Sequence, residues 1–97
     1  MSEAVIILVK PLPGNYAELA EIITQMVAQV REFPGCLQAE TLLAPDREEI
    51  AVFQRWTDAD ALSDYLIWRS KQEDFKRVYA LSAEEPDFKS FTLCTPG

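Results

Sequence analysis

The chain has 97 residues and a formal net charge of −7, with nine Lys and Arg against sixteen Asp and Glu. That charge opposes nucleic acid and anionic membrane surfaces, which carry the same sign. Histidine is absent, which removes the usual general base near neutral pH, the usual transition-metal ligand and the commonest haem ligand.

Residues Ala4–Lys10 read AVIILVK, a continuous, partly β-branched apolar run. Such a run predicts a strand covered on both faces and central in its sheet. It is too short to span a bilayer and lacks the basic flank of a signal peptide, so the cytoplasm is the default compartment. Pro11-Leu12-Pro13-Gly14 ends the strand, because proline cannot continue a central ladder. Asn15 is an expected helix N-cap, with Glu18 completing a capping box. Tyr16, Leu19, Ala20, Ile23, Met26, Val27 and Val30 then fall on one helical stripe, and Phe33-Pro34-Gly35 closes the helix.

Cys36–Leu43 alternates in polarity, as a half-exposed strand does. Ala44-Pro45-Asp46-Arg47-Glu48 is turn chemistry. Glu49–Trp56 follows as a strand with Ile50, Val52, Gln54 and Trp56 on one face, and the short connection makes an antiparallel hairpin. Thr57 or Asp58 caps a second helix, in which Ala59, Leu62, Tyr65, Leu66 and Arg69 share a spacing. Gln72–Leu81, with Phe75, Val78 and Tyr79, reads as a short continuation helix set at an angle. Glu84-Glu85-Pro86 breaks it, and Asp87–Thr95 is the last strand.

The order β-α-β-β-α-β predicts one α+β domain over residues 1–97, a ferredoxin-like fold with a single antiparallel sheet. Right-handed crossovers put the first and third strands in the centre and the second and fourth at the edges. Helices then cover one sheet face. The other is apolar and open, so a homodimer packed through that face is expected. Cys36 and Cys94 fall on opposite edges, about 14 Å apart at ~4.8 Å per strand, beyond the reach of a disulfide. They read as small, mostly buried apolar residues, with a reactive thiol as the alternative.

Three segments carry a resemblance. Pro34-Gly35-Cys36-Leu37 opens the second strand, and Val52-Phe53-Gln54-Arg55-Trp56 closes the third. Ala61-Leu62-Ser63-Asp64-Tyr65-Leu66, followed by Ser70 and Phe75, lies in the second helical region. In that order and spacing they resemble the antibiotic biosynthesis monooxygenase domain family, small dimeric ferredoxin-like proteins that pair as an α+β barrel. The resemblance implies a cofactor-independent oxygenase of anthrones or quinols; other members degrade haem. Two positions depart from the family pattern. Gln54 stands where many members have Glu, and Tyr65 where many have His, replacing a base with a phenol that is neutral at pH 7.

The candidate catalytic residues are Tyr65, Arg55 and Asp64. Tyr65 offers a hydrogen bond to a phenol or carbonyl, Arg55 a cation for a developing phenolate, and Asp64 a carboxylate base. The candidate substrate-binding residues are Phe53, Trp56, Trp68, Arg69 and Tyr79. Each has a plainer alternative: core packing for the aromatics, solvated ion pairs for the arginines and Asp64. Under the resemblance, no metal or organic cofactor is required, since an electron-rich aromatic anion can itself reduce O₂. The protein must hold the ring, favour the anion and exclude water. A cleft between the sheet and the second helical region is expected, walled by Phe53, Trp56, Tyr65 and Trp68. The rival reading is a non-catalytic dimeric module that binds a small aromatic or apolar ligand. Haem binding would need Tyr or Cys as the axial ligand.

Overall fold

Pro11, Pro13 and Gly14 stop the first strand as expected, with Gly14 at φ 84° to make the turn. The computed structural model describes residues 2–94. Its elements are β1 (Glu3–Val9), α1 (Tyr16–Val30), β2 (Cys36–Ala44), β3 (Glu49–Trp56), α2 (Ala59–Arg69), α3 (Glu73–Ala80) and β4 (Asp87–Thr92). The expected end of the last strand, Thr95, lies outside the described residues.

The strands form one antiparallel sheet in the order β2-β3-β1-β4. β1 and β3 are central, as the crossover rule requires, and this is a ferredoxin-like α+β fold. Register fixes the two faces. Val5, Ile7 and Val9 of β1 lie beside Gln54, Val52 and Ile50 of β3, and this face meets the helices. Ala4, Ile6 and Leu8 lie beside Arg55, Phe53 and Ala51, and this face carries no helix. The expectation that β1 is covered on both faces is therefore corrected, since Ile6 is 39% exposed. The apolar run reflects two different neighbours, a helix layer on one side and an unpaired sheet face on the other.

α1 buries Leu19, Ile23, Val27 and Val30 against the sheet. Its N-terminus departs from the capping box. Asn15 has φ −108° and ψ 8° and makes no side-chain cap, because a capping side chain needs extended backbone to aim at the first turn. Its amide instead donates to Glu18 at 3.5 Å. Asp58, not Thr57, caps α2. Its backbone is extended, φ −162° and ψ 173°, and Oδ1 accepts the Ala61 N–H at 2.8 Å. The chain leaves the helical conformation at Gln72, φ −89° and ψ 152°, which separates α3 from α2.

Gly35 sits where β2 begins, at φ 88°. A Cβ there would stand 2.5 Å from Ala61 Cβ of α2, so the close approach of strand and helix requires glycine. Gly35 C=O also accepts the Thr57 N–H at 2.8 Å. The core gathers Val5, Val9, Leu19, Ile23, Val30, Ile50 and Trp56, with Trp56 wholly buried. Cys36 and Cys94 are both free thiols.

Candidate functional site

The alternation of β3 aims Ile50, Val52, Gln54 and Trp56 at the helices, and all four are buried. A buried Gln among apolar neighbours needs a partner. Trp56 supplies it, as Nε1–H donates to Gln54 Oε1 at 3.0 Å. The Trp56 ring lies 5.1 Å, centroid to centroid, from that of Tyr65 on α2. One turn further along α2 is Arg69, 2% exposed. Its Nε–H donates to Tyr65 Oη at 3.0 Å. Its Nη1 donates to Asp74 of α3 at 2.8 Å and to Gln29 of α1 at 3.1 Å, and its Nη2 to the Met26 carbonyl at 3.3 Å. A buried guanidinium is stable only when so paired. Here one side chain ties together three helices. Its carbon also lies 4.8 Å from the Trp68 ring centroid and 5.4 Å from that of Tyr65.

This polar chain borders a cavity of about 300 Å³ between sheet and helices. The sheet contributes Ile7, Val9, Val52, Gln54 and Phe88; α1 contributes Ile23, Met26, Val27 and Val30. Tyr65, Leu66 and Arg69 of α2, Ser70, and Phe75, Val78 and Tyr79 of α3 complete the wall with Pro86. The size is at the small end for ligand pockets, and an apolar lining with few polar groups is their usual character. A shallow depression between α2 and β4 shares Leu66, Ser70 and Phe88 with it.

Burial raises the Tyr65 hydroxyl above the usual 10.0, against the hydrogen bond and charge of Arg69, which lower it; Asp74 adds to the rise. Tyr65 is thus a neutral phenol at physiological pH. Burial raises Tyr79 as well, aided by the charge of Glu85. Cys36 is raised chiefly by burial.

The candidate residues separate by face. Tyr65, Arg69 and Tyr79 line the cavity. Phe53 and Arg55 point from the opposite sheet face, because strand side chains alternate and both are out of phase with Gln54. The arginine Nε is buried there without a partner. Asp64 is exposed on α2. Trp68, 39% exposed, stacks on Phe33 at 4.7 Å and is not part of the wall. Trp56 lies behind the wall rather than in it. Of the four expected to wall the cleft, Phe53, Trp56, Tyr65 and Trp68, only Tyr65 does so. Gln54, Phe75 and Phe88 were absent from the expected set. A lone Gln on the apolar face of β3 is the signal for the first, and the shared spacing with Val78 and Tyr79 is the signal for Phe75; nothing local marks Phe88.

The elements and their order define a small ferredoxin-like α+β domain with an apolar cavity between sheet and helices, polar at one wall. Residues 4–80 match the family described as antibiotic biosynthesis monooxygenase, and the chain belongs to that family. Similar solved structures include SnoaB, a cofactor-independent oxygenase from Streptomyces nogalater. The two share 20% identity over 98% of this chain and 95% of that one, with a TM-score of 0.82. A Mycobacterium tuberculosis protein shares 18% identity over 99% and 98%, with a TM-score of 0.79. A conserved protein from Methanosarcina mazei shares 12% over 94% and 91%, with a TM-score of 0.73. No curated protein matches the chain in sequence. Among the described residues no helix is long and apolar enough to cross a membrane.

Proposed function

We propose that the protein is a cofactor-independent monooxygenase of a small electron-rich aromatic, an anthrone or quinol, with the cavity as its active site. The observation that carries this reading is a partly open apolar cavity whose polar wall is formed by Gln54, Tyr65 and Arg69, with Trp56 behind it. The reaction asks little of the protein. An anthrone anion gives one electron to O₂, and the resulting radical pair joins to form a carbon-bound peroxide. Loss of water then breaks the O–O bond and leaves a new carbonyl. One oxygen atom stays on the ring and the other leaves as water with both hydrogens of the original CH₂. Ring placement and exclusion of water are what the cavity supplies. Tyr65, Arg69 and Tyr79 are the chain's contacts to the ring and its oxygens. Family membership and the likeness to SnoaB support the reading.

One observation favours the second reading, a dimeric module that binds the same ligand without turning it over. Among the described residues no carboxylate or imidazole lines the cavity, and Tyr65 holds its proton, so the substrate must ionise through its own acidity. The experiment is O₂ uptake with anthrone and with a panel of quinols, alongside binding by calorimetry. Oxygenation predicts one O₂ consumed per anthrone converted to anthraquinone, above the rate in buffer. Saturable binding with buffer-rate uptake selects the binding module.

We also propose that the open sheet face is where two copies pair. Ile6, Leu42 and Phe91 are 39%, 54% and 51% exposed, and the last two extend that face to both sheet edges.

A further inference from the structure

The polar side chains on the deep wall of the cavity each already accept one hydrogen bond from a neighbour in the protein. Indole N–H is a donor with no acceptor capacity, and Trp56 Nε1–H takes Gln54 Oε1 at 3.0 Å. This contact decides which end of the amide is which. Nε2 is the end left over. It meets no protein acceptor among the described residues, and it is not among the polar atoms sealed away without a partner. The open space beside it is the cavity that Gln54 lines. Tyr65 is in the same position. A guanidinium is also donor-only, and Arg69 Nε–H takes Tyr65 Oη at 3.0 Å. The phenolic hydrogen is left without a protein acceptor among the described residues. Asp74 is bonded to Arg69 through Oδ2 at 2.8 Å, its Oδ1 is buried without a partner among the described residues, and it forms no part of the wall. Ser70 and Tyr79 stand at the exposed rim, where water can satisfy them.

We infer that the cavity reads its ligand through two fixed hydrogen-bond donors, Gln54 Nε2 and the Tyr65 hydroxyl, and so selects the carbonyl or oxyanion form of a planar aromatic. This rests on the reading of the cavity as the ligand site. A neutral hydroxyl can accept from these groups but brings a hydrogen that needs an acceptor of its own, and a buried donor without one is penalised. The ketone tautomer or the phenolate offers only lone pairs. The donors therefore favour the anion that the oxygenation needs, without any base in the wall. The selection follows from Gln54 and Tyr65 together, the two positions where this chain carries neither Glu nor His.

The test compares 9-fluorenone with fluorene, which share a planar frame and differ by one carbonyl acceptor. Dissociation constants come from quenching of tryptophan fluorescence. Fluorenone is expected to bind wild-type protein at least about threefold more tightly, each neutral hydrogen bond being worth roughly two- to tenfold. Its carbonyl stretch, measured by infrared difference, is expected to move to lower frequency than in cyclohexane. Gln54→Glu keeps an acceptor for Trp56 but turns an oxygen toward the ligand, and is expected to abolish the preference. Tyr65→Phe is expected to weaken it. Equal binding of the two compounds, or an unshifted stretch, overturns the inference while leaving the cavity reading intact. So does an unchanged preference in both variants if they still bind fluorene. If a variant loses its fold, the wild-type affinity ratio and stretch still decide. Failure of wild-type protein to bind either compound overturns both the inference and the reading beneath it.

Discussion

Arg69 and Tyr65 depend on each other. The guanidinium needs acceptors to stay buried, and the phenol is one of four it uses. Removing the hydroxyl leaves a buried N–H without a partner, which costs about 1–3 kcal/mol. Tyr65→Phe is therefore expected to lower stability by that amount at pH 8, measured by urea unfolding. The pH dependence has a definite sign. Because the folded protein holds the Tyr65 proton more tightly than the unfolded chain does, the native state binds more protons above pH 10. Its stability is complete below that pH and falls as pH rises toward the raised value. Tyr65→Phe is expected to flatten this fall above about pH 10, relative to wild type. Equal slopes in the two proteins would mean that the hydroxyl is not buried as described.

The junction of β2 with α2 turns on one glycine. Gly35 and Gly14 both have positive φ, 88° and 84°, but only Gly35 has a neighbour where a Cβ would go. Gly14→Ala is expected to cost about 1–2 kcal/mol, the strain of the left-handed conformation alone. Gly35→Ala adds overpacking against Ala61 and is expected to cost about 2–5 kcal/mol; urea midpoints of the two variants compare them directly. Element identity was largely legible in the chain. The stripe of α1, the alternation of β3 and the Pro34-Gly35 break all act locally, and periodicity reports local constraints. The cap of α1 was not legible, because Asn15 must also leave the Pro11–Gly14 turn, and that exit sets its backbone. The site was legible in part. Tyr65 and Arg69 fall on the buried stripe of α2, and so were readable as inward. Whether Trp56 walls the cavity or lies behind it depends on where α2 lands over the strand, a tertiary fact with no local signature. Phe53, expected in the cleft wall, and Arg55, expected as a cation for a developing phenolate, lie on the other sheet face, which period-two alternation alone makes readable.

At the scale of the whole molecule, one sheet face is packed and one is bare. Phe53 and Ile6 lie opposite each other at the centre of the bare face, with Leu42 and Phe91 toward its edges. Light scattering at micromolar concentration is expected to give twice the chain mass of 11.0 kDa, from an interface of at least about 1,000 Å². Phe53→Glu is expected to shift the protein to monomer while leaving its far-ultraviolet circular dichroism unchanged; a wild-type monomer would refute the dimer. The packed face leads back to β4. This strand bonds to β1 alone, and every one of its residues is exposed, yet Phe88 from it closes one side of the cavity. An edge strand held by a single ladder is the part of a sheet most ready to detach. Under the proposed function, ligand binding and the seating of this strand form one linked equilibrium. A guest in the cavity would fasten β4 by the free energy it gains from Phe88, and a chain whose β4 has come away would lack that wall.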